Sequence, residues 1–137
     1  MSGNGSDGSR LYDTSALVAH LLDGDVGKLF DEHALDLTFY EAGNAVWKTA
    51  RLRDEMDAEG CERAVELLGK LGDEMVVHTF DQVSLGGVMG IAVEDDLTFY
   101  DASYVEVAEA ESLRLVTLDN ELYQKASERV GVEKPEP

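Results

Sequence analysis

Along the chain, short apolar runs alternate with longer stretches in which apolar side chains recur at helical spacing. Candidate strands fall at residues 10–13, 36–38, 75–79 and 114–118, each separated from the next by one or two helical patterns. A short edge strand is expected from residue 132, before Pro135 and Pro137 stop it. Such alternation favours a parallel sheet with helices on both of its faces. The pattern therefore predicts an α/β domain of three layers, α/β/α, around a central sheet of four to five parallel strands.

The helical pattern at 58–71 is the plainest. It places Cys61, Ala64, Val65, Leu68 and Leu71 on one stripe, with Glu59, Glu62, Arg63, Glu66 and Lys70 elsewhere. On that stripe Cys61 reads as a core residue. A second helix, at 82–93, carries Gly86, Gly87 and Gly90, but no Lys-Ser/Thr follows as a phosphate loop would require. Close packing of this helix on a neighbour explains the glycines better. Residues 1–9 have no apolar side chain after Met1 and read as a flexible tail, with the domain over 10–132 and a C-terminal tail over 133–137.

A chain of 137 residues fits one domain whose core needs no covalent staple. The single cysteine excludes an internal disulfide and the usual zinc-holding Cys/His sets, which suits a reducing, cytoplasmic setting. No apolar run reaches the length of a membrane span, and no signal-peptide pattern is present. The formal charge is 11 − 29 = −18. Taken alone, that opposes binding to nucleic acid, which draws on basic surface. The acids are spread along the whole chain, however, as expected of a protein adapted to high salt.

Chemistry enters through a repeat. Asp36-Leu-Thr-Phe-Tyr-Glu-Ala-Gly-Asn44 returns sixty positions later as Asp96-Leu-Thr-Phe-Tyr-Asp-Ala-Ser-Tyr104. In each copy the threonine (Thr38, Thr98) is placed to cap a helix while the acid three residues on (Glu41, Asp101) reaches back, a purely structural explanation. Two further acids ask for more. Asp13 closes the first predicted strand and Asp119 the last, and ligands of open parallel sheets sit at the carboxyl ends of strands. Four carboxylates gathered in one crevice would repel one another without a cation. All-oxygen ligands select Mg²⁺ or Mn²⁺, ions suited to phosphodiester hydrolysis.

Asp13-Thr14-Ser15, Glu41-Ala-Gly-Asn44, Tyr100-Asp101-Ala-Ser-Tyr104 and Thr117-Leu118-Asp119, in this order, resemble the PIN-domain ribonucleases, especially those of the VapC toxin type. The resemblance covers about residues 10–130. It implies a PIN fold, a metal-dependent endoribonuclease, and a metal-binding quartet of Asp13, Glu41, Asp101 and Asp119 supported by Ser15, Asn44 and Thr117. It also implies an RNA substrate, an antitoxin partner and a homodimer.

Lys48, Arg51 and Arg53 form the only concentrated basic group and are candidates for RNA contact, or equally for pairing with surface acids such as Asp54 and Glu55. Trp47 reads as core or interface packing, and His20, His33 and His78 share no ligand spacing. Response-regulator receivers and haloacid-dehalogenase-type phosphatases need acid motifs that this chain lacks. A nuclease of RNA processing without a toxin role, and a non-catalytic PIN scaffold that binds a protein, remain as alternatives.

Overall fold

The computed structural model describes residues 9–136. Five strands, β1 (Arg10–Tyr12), β2 (His33–Leu35), β3 (Val76–His78), β4 (Arg114–Val116) and β5 (Val132–Glu133), form one parallel sheet in the order β3-β2-β1-β4-β5. Six helices cover it: α1 (Thr14–Asp23), α2 (Asp36–Trp47), α3 (Ala58–Glu74), α4 (Leu85–Asp95), α5 (Phe99–Glu111) and α6 (Asn120–Ala126). The chain winds outward through β1, β2 and β3, then crosses back to lay β4 on the other side of β1. That reversal opens a crevice at the carboxyl ends of β1 and β4, the usual ligand position in such sheets.

Alternation along three-residue strands decides which layer each side chain joins. Leu11, Leu35 and Leu115 face α4, α5 and α6, packing with Val88, Ile91, Val105, Ala108 and Leu122. Their neighbours Tyr12, Ala34 and Val116 face the opposite way, onto Leu17, Leu21, Val46 and Leu71 of α1, α2 and α3. Both faces are thus buried, as an all-parallel sheet demands.

The second strand differs from expectation. Residues 36–38 are not extended; they open α2, and the strand is the preceding His33–Leu35. Asp36 Oδ1 accepts the Leu37 N–H at 2.8 Å, and Thr38 Oγ accepts the Leu35 N–H at 3.3 Å, so two of the helix's orphan donors are satisfied from within its first turn. In the other copy of the repeat, Asp96 closes α4 with left-handed backbone (φ 56°) and Thr98 caps α5 by accepting the Asp101 N–H at 3.0 Å. The expected cap is therefore made by Thr98 and not by Thr38. Near-identical sequence serves a helix start in one copy and a helix-to-helix corner in the other.

Two smaller expectations also shift. Val65 is exposed; the buried stripe of α3 runs through Ala64 and Leu71, with Cys61, Leu67 and Leu68 partly covered. Among the glycines of α4, close approach holds at Gly87, where a Cβ would lie 2.5 Å from Glu106 Oε1, whereas Gly86 and Gly90 face open space. Residues 1–8 of the expected N-terminal tail lie outside the described residues.

Glu133, which the sequence places in the tail, ends β5 and latches the sheet. Its carboxylate accepts from Arg114 Nε at 2.6 Å and from Arg10 Nε at 2.9 Å, tying β5 to β4 and β1. Burial pushes this carboxyl up, but the two guanidiniums outweigh it and hold it below the usual range. Its contribution is therefore present above the ordinary glutamate value and is lost as pH falls through the lower folded one. Glu133→Gln is expected to cost about 1 kcal/mol at pH 7 and almost nothing near pH 3, as chemical denaturation at the two pH values would show.

Candidate metal and nuclease site

The four predicted acids come from the segments that flank the crevice. Asp13 follows β1 and caps α1; Asp119 follows β4 and caps α6, its Oδ1 accepting the Leu122 N–H at 3.0 Å. Asp101 stands in the first turn of α5 and Glu41 in the second turn of α2. Capping and the positive ends of the helices favour the ionised forms there.

Asp13 is the anchor. It is buried, and its Oδ1 accepts from Ser15 Oγ (2.7 Å) and the Ala16 N–H (3.0 Å), while Oδ2 accepts from Thr117 Oγ (2.5 Å). Ser15 in turn accepts the Leu118 N–H at 2.9 Å, and Thr117 accepts the Asp119 N–H at 3.0 Å. The hydroxyls of Ser15 and Thr117 thus bind Asp13 and the loop that presents Asp119 into one unit. Burial pushes the Asp13 carboxyl above its usual range; the hydrogen bonds from Thr117, Ser15 and Ala16 pull it down, and Asp119 adds repulsion.

Glu41 is held by a chain of hydroxyls. Thr14 Oγ donates to Glu41 Oε1 at 2.7 Å and also lies 3.2 Å from Tyr104 Oη, which is 2.6 Å from Thr38 Oγ. Each hydroxyl has one proton, so with Thr14 donating to an ionised Glu41, Tyr104 donates to Thr14 and Thr38 to Tyr104. Thr38 accepts from the Leu35 N–H, which completes a directed line from the backbone to the carboxylate. Tyr104 and Thr14 have no assigned role in the sequence reading. The signal available there was position: Thr14 follows Asp13, and Tyr104 stands one helical turn past Asp101.

Asp101 is half-buried and pushed up to about 6, first by burial and then by Asp119, Asp13, Glu41 and Glu121. Asp101 therefore feels the other three site acids, and Asp13 feels Asp119. No Lys or Arg forms an ion pair with any of them among the described residues. As the side chains stand, no three carboxylates among the described residues converge on a single ion position. The donor set fits a hard divalent cation nonetheless: it is all oxygen and net negative, and Lys125, which feels Asp101, spends its ion pairs on Glu121 and Asp96. Asn44 lies apart from this network, exposed on α2 one turn beyond Glu41.

From Glu41 a groove of about 570 Å³ runs between α1 and α2, lined by Thr14, Ser15, Val18, Tyr40, Asn44 and Lys48. Lys48 begins a π-helical turn, Lys48–Leu52, in which Thr49 Oγ bonds back to the Ala45 carbonyl at 2.9 Å. Lys48, Arg51 and Arg53 are exposed, and among the described residues none of them pairs with a carboxylate, Asp54 and Glu55 included. Only Lys48 lines the groove. Trp47 is half-exposed rather than core, and His20, away from the site, is buried against the edge of Tyr12.

Removing the Thr117 hydroxyl leaves the buried Asp13 carboxylate short of a donor and moves its titration further up. A group raised in the folded state loses stability as pH climbs through its folded value. Thr117→Ala is therefore expected to cost about 2 kcal/mol at pH 7 and clearly less at pH 3, measured by urea unfolding.

No family model matches the chain. It is 40% identical over 127 residues to exonuclease VapC9 of Pyrobaculum aerophilum, covering 93% of this chain and 88% of that protein. It is 36% identical over 93 residues to ribonuclease VapC3 of the same organism, covering 68% of this chain and 70% of that one. The crystal structure of PAE2754 from Pyrobaculum aerophilum matches with a TM-score of 0.74 and 40% identity, over 92% of this chain and 88% of that chain. With this identity spread over nearly the whole domain, and the acids at the crevice of the same fold, the chain belongs to the VapC-type PIN nucleases.

Proposed function

We propose that the protein is a ribonuclease that hydrolyses RNA phosphodiester bonds using Mg²⁺ or Mn²⁺, with Asp13, Glu41, Asp101 and Asp119 as the residues that hold the ion. The observation that carries this reading is the crevice itself: four acids, with Asp101 repelled by the other three, and no basic side chain ion-paired to any of them among the described residues. Charge of that kind is tolerable when a divalent cation completes it. When bound, such an ion lowers the pKa of water and offsets the charge of a phosphodiester. Ser15 and Thr117 fix Asp13, and the line Thr38, Tyr104, Thr14 fixes Glu41, so two of the four carboxylates are oriented before any ion arrives.

Lys48, Arg51 and Arg53, which pair with no carboxylate among the described residues, are assigned to RNA phosphates. Cleavage within the strand, a toxin role in the cytoplasm under the control of an antitoxin, and a homodimer complete the proposal, as the family suggests. The name of one relative specifies exonuclease, which makes a circular RNA the useful substrate. No helix among the described residues is long and apolar enough to cross a membrane. The dispersed acidity is assigned to a salt-rich setting, where screening over a few ångströms weakens repulsion of RNA.

The test is cleavage of linear and circular RNA with and without Mn²⁺, at low and molar KCl. Circular RNA is expected to be opened only with metal, faster at molar salt, and Asp101→Asn is expected to retain less than about one hundredth of the rate. Asp101 has its pKa raised from 3.8 to about 6 by folding, so in metal-free protein its stability contribution declines as pH rises through that window. Asp101→Asn should accordingly raise the metal-free Tm at pH 7 by a few degrees while weakening the stabilisation that Mn²⁺ gives the wild type. Metal-independent cleavage, or a variant as active as wild type, would contradict the proposal.

A further inference from the structure

The repeat places a tyrosine immediately before an acid twice, Tyr40 before Glu41 and Tyr100 before Asp101. Neither tyrosine belongs to the core: Tyr40 is 82% exposed and Tyr100 59%. Their surroundings differ. Tyr100 lines an apolar cavity of about 190 Å³ with Phe80, Phe99, Leu85 and Val83. Tyr40 lines the groove that begins at Glu41, Thr14 and Ser15 and ends at Lys48.

Tyr40 and Asn44 on α2 and Lys48, which caps its end, follow one another at intervals of four residues, so they share one side of the helix, reaching roughly 12 Å away from the acids. That row offers an aromatic face, an exposed amide and a cation with no carboxylate partner among the described residues. The Tyr40 phenol makes no hydrogen bond or ring contact within the described residues, so the fold gives it no structural task. A large aromatic left in water beside a charged crevice, with a free cation further along, has the composition of a surface that binds single strands: a π-face for a base and a positive charge for the backbone. Paired RNA hides its base faces in the helix stack and cannot use such a platform.

Resting on the ribonuclease reading above, we propose that Tyr40 stacks on an unpaired nucleobase next to the scissile phosphate and restricts the substrate to RNA that is single-stranded at that point. Lys48 holds a phosphate further along the same groove. Tyr40 is a specificity-determining residue and takes no part in bond breaking. Tyr100, at the matching place in the repeat but over the apolar cavity, stays outside this groove.

The experiment is steady-state cleavage of a single-stranded oligoribonucleotide by wild type, Tyr40→Ala, Tyr40→Trp and Tyr100→Ala. It is repeated with the same strand in a duplex and with one abasic ribose placed in turn at each position beside the cut. Tyr40→Ala is expected to raise KM about 5- to 100-fold with kcat nearly unchanged, and Tyr40→Trp to restore KM. Tyr100→Ala is expected to match wild type, and the duplex, a poor substrate for the wild type, to be cut no worse by Tyr40→Ala, so that the preference for the single strand narrows by the factor lost in KM. At one abasic position the wild type should lose the same factor, while Tyr40→Ala loses nothing more. Equal KM for wild type and Tyr40→Ala would overturn the inference and leave the ribonuclease reading standing. So would an equal loss in Tyr100→Ala, or a Tyr40→Ala defect confined to binding a protein partner. A wild type that cuts no RNA would overturn both.

Discussion

Electrostatic repulsion among four carboxylates is the constraint around which this molecule is arranged. Asp13, Glu41, Asp101 and Asp119 come from four segments, and the sheet order brings those segments to one edge. The fold offsets part of the cost locally. Asp13, the most buried, takes three hydrogen bonds; Glu41 takes one at the end of a hydroxyl line; Asp119 caps a helix and is exposed. Asp101 has no such donor to its carboxylate among the described residues, and burial first, then the other three acids, push its carboxyl well above the ordinary range. A site built this way is still short of positive charge, which suits the divalent ion proposed for it.

Most of the scaffold's basic side chains are paired away from that edge. Arg10, Arg114 and Glu133 latch β1, β4 and β5 together, and Arg129 joins Glu94 and Asp95 at the end of α4. The few basic residues of the chain are therefore mostly spent on structure, which makes Lys48, Arg51 and Arg53, without a carboxylate partner among the described residues, conspicuous. Charge in this protein is locally sorted even though its total is strongly negative.

Much of this was legible in the sequence because each acid stood at a boundary between elements. Asp13 and Asp119 close apolar runs too short to be anything but strands, and the fold places both as predicted. The second strand is less legible, because Asp36-Leu-Thr looks extended by composition while Thr38 sits inside the helix, its hydroxyl shared between the Leu35 N–H and Tyr104, a residue 66 positions away. For the same reason the two copies of the repeat could not be told apart: Asp96 takes a left-handed corner that Asp36 does not. Tyr104 escaped notice as a site residue because its role lies in reaching Thr14 and Thr38, contacts that only the packed helices create. The exposure of Trp47 and Val65 likewise follows from where α2 and α3 meet, which periodicity alone does not specify.

The claim that the crevice is completed by a divalent cation is tested most directly by titrating the metal-free protein with Mn²⁺ while following proton release. Because the Asp101 carboxyl titrates at about 6, binding at pH 6 is expected to expel part of a proton per ion, and binding at pH 8 to expel almost none. Asp101→Asn should reduce the release at pH 6. Mn²⁺ that fails to bind, or that binds at pH 6 without releasing protons, would contradict the account.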